Sequence, residues 1–221
     1  MTAVETFTET SLEPAVRGFL NRPESESGET LILTHGAGGN AQMPLLAALA
    51  EAFAGAGFRV LRANLPFRQL RPSGPPRAGD AARDRAGLEN TVSAMKTLGS
   101  RRIFLGGQSY GGRQASMLSA ERKVADGLLL LSYPLHPPGR RDQPRTQHFG
   151  DLAIPVMFVH GTRDPFGTIE EIESARKLIP AKTHLFPVEG AGHDLGFKGE
   201  ARRGELPGAL VEEWERFLKP A

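Results

Sequence analysis

The chain is expected to fold as a doubly wound, mostly parallel α/β sheet with flanking helices, and three observations lead there. Short apolar runs alternate with helical patterns from about residue 30 onward. Most of these runs are apolar at every position, as in Leu128-Leu129-Leu130-Leu131, which suits strands covered on both faces. The segments following the runs are rich in Gly, Ser, His and Asp, at the strand ends where open α/β sheets place their ligands.

In order, strands are expected over Thr30 to Thr34, Phe58 to Ala63, Arg102 to Gly106, Gly127 to Ser132, Val156 to His160 and Thr183 to Val188. Pro44 to Ala54 carries Leu45, Leu49 and Phe53 four apart, and Leu88, Val92 and Met95 give the next helix a similar stripe. Arg113 to Glu121 can be helical. Thr168 with Glu171 three later forms a capping box ahead of Ile169, Ile172 and Ile179. Leu210, Trp214, Phe217 and Leu218 mark a last helix ending near Pro220. Residues 1–29 break the alternation. Val4 to Thr8 and Ala15 to Asn21 are β-prone and suggest antiparallel strands at the sheet edge. Two connections, Pro66 to Gly79 and Pro134 to Ala153, are rich in Pro and Arg. Neither is long enough for a cap domain, so the site should be shallow and open.

The 221 residues suit one domain over 1–221, with 39% hydrophobic and 24% charged residues describing a soluble globular chain. A net charge of +2, without a clustered basic stripe, argues against nucleic acid. No run of 18 apolar residues and no basic, apolar leader occurs, so no membrane association and a cytoplasmic location are expected. The absence of cysteine excludes disulfides, thiolate metal sites and a thiol nucleophile.

Gly107-Gln108-Ser109-Tyr110-Gly111 lies between a strand run and a helical stretch, as a nucleophile elbow requires. Such a turn strains the serine backbone and crowds the positions two before and two after it, where glycine removes the clash. The pattern alone recurs by chance in about one chain in seven of this composition, so its partners must decide it. A serine needs an imidazole to take its proton and an acid to orient that imidazole, in the chain order nucleophile, acid, base. His35, His136, His148 and His160 precede any suitable acid, and His184 falls inside an expected strand. His193, in Gly190-Ala191-Gly192-His193-Asp194, follows the last strand and is the candidate base. Asp164, in Gly161-Thr162-Arg163-Asp164-Pro165, follows the strand before it and is the candidate acid, whereas Asp194 sits too close in sequence to reach the ring. Thr34-His35-Gly36-Ala37-Gly38-Gly39 supplies an oxyanion loop, with the N–H groups of Ala37 and Tyr110 as donors and Gly38 as a neighbouring candidate.

His35 is expected to be structural beneath that loop. Arg113 is expected to be a solvated helix residue rather than an anion contact, the rim arginines Arg68, Arg71, Arg77, Arg140, Arg141 and Arg145 to be solvated charges rather than a substrate clamp, and Phe67 and Tyr133 are candidate substrate contacts. The glycine loop lacks a following Gly-Lys-Ser/Thr, so it is not a phosphate cradle.

Across nearly its whole length, on GQSYG, HGAGG, GTRDPFG and GAGHD together, the chain resembles the α/β-hydrolase superfamily. Tyr133 to Gly139, Arg62 to Phe67 and the DPFG after Asp164 resemble a small cap-less group that includes bacterial dienelactone-hydrolase-like proteins and chromatin-complex subunits. Dienelactone hydrolases proper carry a cysteine nucleophile, which is absent here, so their substrate is not carried over. The resemblance implies Ser109, Asp164 and His193 as nucleophile, acid and base. The expectation is a serine hydrolase acting on a small-molecule ester or thioester without cofactor or metal. The alternatives are a non-catalytic scaffold on the same fold, or a peptidase or acyltransferase using the same residues.

Overall fold

Successive side chains on a strand point to opposite faces, so a strand apolar at every position must be covered twice. The computed structural model, which describes residues 3–197 and 200–219, meets this demand with helices on both sides of one sheet. Its strands are β1 (Ala3–Glu9), β2 (Val16–Arg22), β3 (Glu29–Thr34), β4 (Arg59–Ala63), β5 (Arg102–Gln108), β6 (Gly127–Leu131), β7 (Val156–Gly161) and β8 (Thr183–Val188). They lie in the order β1-β2-β4-β3-β5-β6-β7-β8. β2 pairs antiparallel with both β1 and β4, and all strands from β3 onward run parallel.

The helices are α1 (Pro44–Gly55), α2 (Pro66–Leu70), α3 (Asp80–Thr97), α4 (Tyr110–Glu121), α5 (Ile169–Arg176) and α6 (Glu200–Leu218). Leu31, Leu33, Phe104, Leu129, Leu131, Met157 and Val159 face α1 and α6, where they meet Phe53, Leu210 and Trp214. The intervening Ile32, Leu105, Leu128, Leu130 and Phe158 face the other way, toward Leu88, Val92, Leu118 and Ile172. β3, β5, β6 and β7 thus each feed two cores at alternate positions.

The Thr168 capping box forms at the start of α5, with Thr168 Oγ1 accepting from Glu171 N–H at 3.2 Å and the Glu171 carboxylate accepting from Thr168 N–H at 2.8 Å. The expected stop of the last helix at Pro220 lies outside the described residues. Two details differ from expectation. Pro66 to Gly79 is not all loop: Pro66, with φ already suited to a first helical turn, opens α2. The Pro134 to Ala153 connection is anchored midway by a 3-10 turn, Phe149–Asp151, whose Phe149 is fully buried against Tyr133 and Phe158.

Chain direction across the sheet reverses between β4 and β5, which flank β3 on either side in the connectivity. The turns after β3 and β5 therefore emerge side by side at the carboxyl edge, where such reversals open a crevice. Among the described residues, no helix is long and apolar enough to cross a membrane.

Trp214 is fully buried and meets Phe104 edge-on at 5.2 Å. Trp214→Ala should cost about 3–5 kcal/mol, seen as a lower urea midpoint at unchanged slope. A midpoint within error of wild type would contradict the role given to α6.

Candidate active site

The turn after β5 is forced into an uncommon shape. Ser109 has φ 52° and ψ −115°, a region an L-residue occupies only at a cost of about 1–3 kcal/mol. Its N–H donates to Leu131 O at 2.8 Å, and Arg113 N–H returns to Ser109 O at 3.0 Å, so β6 and α4 hold the turn on both sides. The turn also lies hard against the end of β3. A Cβ on Gly111 would strike the Thr34 hydroxyl and come within 2.6 Å of His35 O, and one on Gly107 would meet the same hydroxyl and lie 2.8 Å from Thr34 O. Only glycine fits either place.

His193 reaches this serine from the loop after β8. Its Nε2 lies 2.9 Å from Ser109 Oγ and its Nδ1 lies 2.8 Å from Asp164 Oδ2. The loop can come so close because β7 ends in Gly161, where a Cβ would run into Ala191 O and Gly192 O. Arg163 N–H donates to Ala191 O at 2.8 Å, Gly190 N–H to Thr162 Oγ1 at 2.8 Å and the Gln108 amide to His193 O at 3.2 Å. Phe166 packs on the imidazole at 4.5 Å. The Asp164 side chain is fully buried, and its other oxygen accepts from Phe166 N–H at 2.9 Å. The imidazole itself is 27% exposed, so it faces an opening above a buried acid.

The loop after β3 lies beside the elbow. His35 is fully buried; its Nδ1 donates to Gly36 O at 2.8 Å and its Nε2 accepts from Leu65 N–H at 3.2 Å. Both ring nitrogens are used by the neutral ring, and burial, opposed by the Gly36 bond and joined by the Arg68 charge, pulls its pKa down to about 4. Among the described residues, the N–H groups of Ala37, Gly38 and Tyr110 have no hydrogen-bond partner. Free backbone donors on the loop and helix start beside a serine can receive negative charge.

A family model described as an alpha/beta hydrolase domain matches residues 27–212. The chain belongs to the alpha/beta hydrolase family. In fold it is similar to an alpha-beta serine hydrolase homologue from Coxiella burnetii, at 21% identity and TM-score 0.77 over 96% of this chain and 98% of that one. A dienelactone hydrolase from Anabaena variabilis matches at 18% identity and TM-score 0.78 over 99% of each chain. A serine hydrolase without lid from Xanthomonas campestris matches at 18% identity and TM-score 0.71, covering 100% of this chain and 96% of the other.

This alpha/beta hydrolase also uses residues that local sequence pattern does not reveal. Arg68 is 7% exposed; it donates from Nε to Gly39 O at 2.7 Å and from Nη2 to Ala37 O and Gly74 O, each at 2.9 Å. It therefore clamps the loop after β3, because that loop's carbonyls point inward and need donors once buried. Asp84 accepts from Phe67 N–H at 2.9 Å and from the Tyr110 hydroxyl at 2.7 Å, tying α2 and the first residue of α4 to α3. Burial raises the Asp84 pKa, with these hydrogen bonds opposing it. Its signal was present: Asp84 stands one turn before Leu88 on the apolar stripe of α3.

Phe67 and Tyr133 are not on the rim. Each is 1% exposed, Phe67 between His35 and Tyr110, and Tyr133 against Phe149 and Phe158 with its hydroxyl donating to Arg145 O. Their aromatic bulk serves the core. Of the other histidines, His136 lies 3.4 Å from Glu171, His148 bonds Ser116, His160 donates to Gly167 O and His184 pairs with Glu213. Arg71 pairs with Asp80, Arg77, Arg140 and Arg141 are not buried, and Gly38 is exposed beside Ala37. Among the described residues, no three His, Asp or Glu side chains gather to hold a metal ion.

Two outcomes follow. Arg68→Met should leave four carbonyls, those of Ala37, Gly39, Arg71 and Gly74, without their donor and speed amide exchange in the loop after β3; unchanged protection would contradict the clamp. Between pH 6.5 and about 4 the unfolded chain binds a proton at His35 that the folded chain refuses, so stability falls as the pH drops through that window. His35→Asn should flatten this fall in urea midpoints, and an identical pH profile would show that His35 contributes nothing to it.

Proposed function

We propose that this protein is a serine hydrolase that cleaves a carboxylic ester or thioester of a small molecule through an acyl-enzyme on Ser109. The observation that carries the reading is the unbroken hydrogen-bonded line from Asp164 through His193 to Ser109, at 2.8 and 2.9 Å.

As Ser109 Oγ attacks the carbonyl carbon, its proton passes to His193 Nε2. Asp164 keeps the Nδ1 proton in place and stabilises the imidazolium that forms. The oxyanion is received by the Ala37 and Tyr110 N–H groups, each donor lowering the barrier by about 2.7–4 kcal/mol. When the tetrahedral species collapses, the leaving alkoxide or thiolate takes the proton from His193. Water then enters, gives its proton to His193, attacks the acyl carbon and releases the carboxylic acid, restoring Ser109. The chemistry requires neither metal nor cofactor. Arg68 serves it indirectly, by holding the carbonyls of the loop that presents Ala37. The connections after β4 and β6 add only α2 and a 3-10 turn above the sheet, which favours a small or exposed substrate.

A fluorophosphonate probe should label the wild type and fail on Ser109→Ala; equal labelling of both would sink the reading. Asp164→Asn, whose amide N–H can donate to the ring and hold it in the wrong tautomer, should lower kcat by about 10⁴-fold.

A further inference from the structure

Arg113 occupies the first turn of α4, four residues after Ser109 and therefore on the same helix face, about 6 Å further along the axis. Helical side chains lean toward the N-terminus, which brings this one back toward the elbow. Its Nε is buried without a hydrogen-bond partner. Across from it lies the connection after β6. There Arg145 donates from its backbone to Leu135 O at 2.8 Å, accepts the Tyr133 hydroxyl at 2.6 Å and extends its guanidinium only to Pro134 O at 3.4 Å. His148, on the same connection, bonds Ser116 at 2.8 Å, and Ser116 in turn donates to Arg113 O at 2.9 Å. These bonds pin the connection to the first turns of α4.

Among the described residues neither arginine forms an ion pair with a carboxylate, although both are half-buried. Burial first, and then the Arg113 charge, pull Arg145 below its usual pKa and His148 down to about 4. Two half-buried guanidiniums without a carboxylate partner, on a helix turn and a connection pinned to it, raise the local potential, and a shared anion relieves it. The planar forks suit a carboxylate or a phosphate, each of which takes paired N–H donors.

We propose that Arg113 and Arg145 form an anion subsite one helical turn from Ser109, selecting ester or thioester substrates that carry a carboxylate or phosphate group. This rests on the reading of Ser109 as nucleophile. Both arginines are half-buried rather than fully solvated, and the proposal takes up the alternative of an anion contact.

The test compares kcat/KM for para-nitrophenyl hemiglutarate with that for para-nitrophenyl valerate, which has the same acyl length without the charge. A parallel arm compares meta-carboxy-para-nitrophenyl butyrate with para-nitrophenyl butyrate, and so places the anion on the leaving group. In one arm the wild type should favour the charged ester by about tenfold or more, the scale of a charge-assisted contact. Arg113→Gln and Arg145→Gln should each bring that ratio toward one, Arg113→Lys should retain part of it, and added salt should erode it in the wild type. The wild-type ratios stand even if a variant fails to fold. Fluorophosphonate labelling of each protein reads Ser109 separately. Labelled enzyme with ratios near one in both arms, or with ratios that survive both glutamine substitutions, overturns the subsite alone. Unlabelled wild type overturns the nucleophile and the subsite together.

Discussion

The close packing of the β5–α4 turn on the end of β3 is the constraint on which the site depends. Gly107 and Gly111 let the two backbones approach to a distance at which any side chain would collide with Thr34 or His35. That approach sets Ser109 at positive φ, puts its hydroxyl above the sheet and leaves the Tyr110 N–H at a helix start beside the loop that carries Ala37. Move the turn by an ångström and the hydroxyl leaves His193 while the two free donors separate. The strain is borne by β5 and β6, buried between two cores, which is where a fold can hold a costly backbone conformation.

Polar groups buried around the turn fix what packing alone would leave loose. Arg68 gathers the inward carbonyls of the loop after β3, His35 bridges that loop to Leu65, and Asp84 ties α2 and Tyr110 to α3. Gly161 performs the same service on the other side, letting the loop with His193 lie across the end of β7. The groups proposed to react come from four strand ends, and each end is held by a different local device.

The order of strands and helices was legible in the sequence because unbroken apolar runs and four-residue spacings are local signals. Ser109, Asp164 and His193 were legible as candidates because each sits in a glycine-marked turn just past such a run, and the structure brings the three side chains into one hydrogen-bonded line. Long-range partnerships were not legible. Nothing near Arg68 in sequence shows that it will meet Ala37, Gly39 and Gly74, and nothing near Arg145 shows that its connection will be pinned to the first turns of α4. Phe67 and Tyr133 mislead for the converse reason: both sit next to site loops, yet their size and apolar rings drew them inward to the core.

Acylation of Ser109 is the central claim, and intact-protein and peptide mass spectrometry after rapid acid quench reads it directly. With a slowly deacylating aryl ester, the account predicts a mass increment equal to the acyl group, on the peptide containing Ser109, rising and then decaying as product forms. Product release with that peptide unmodified throughout, or an acyl group carried on another residue, would contradict it.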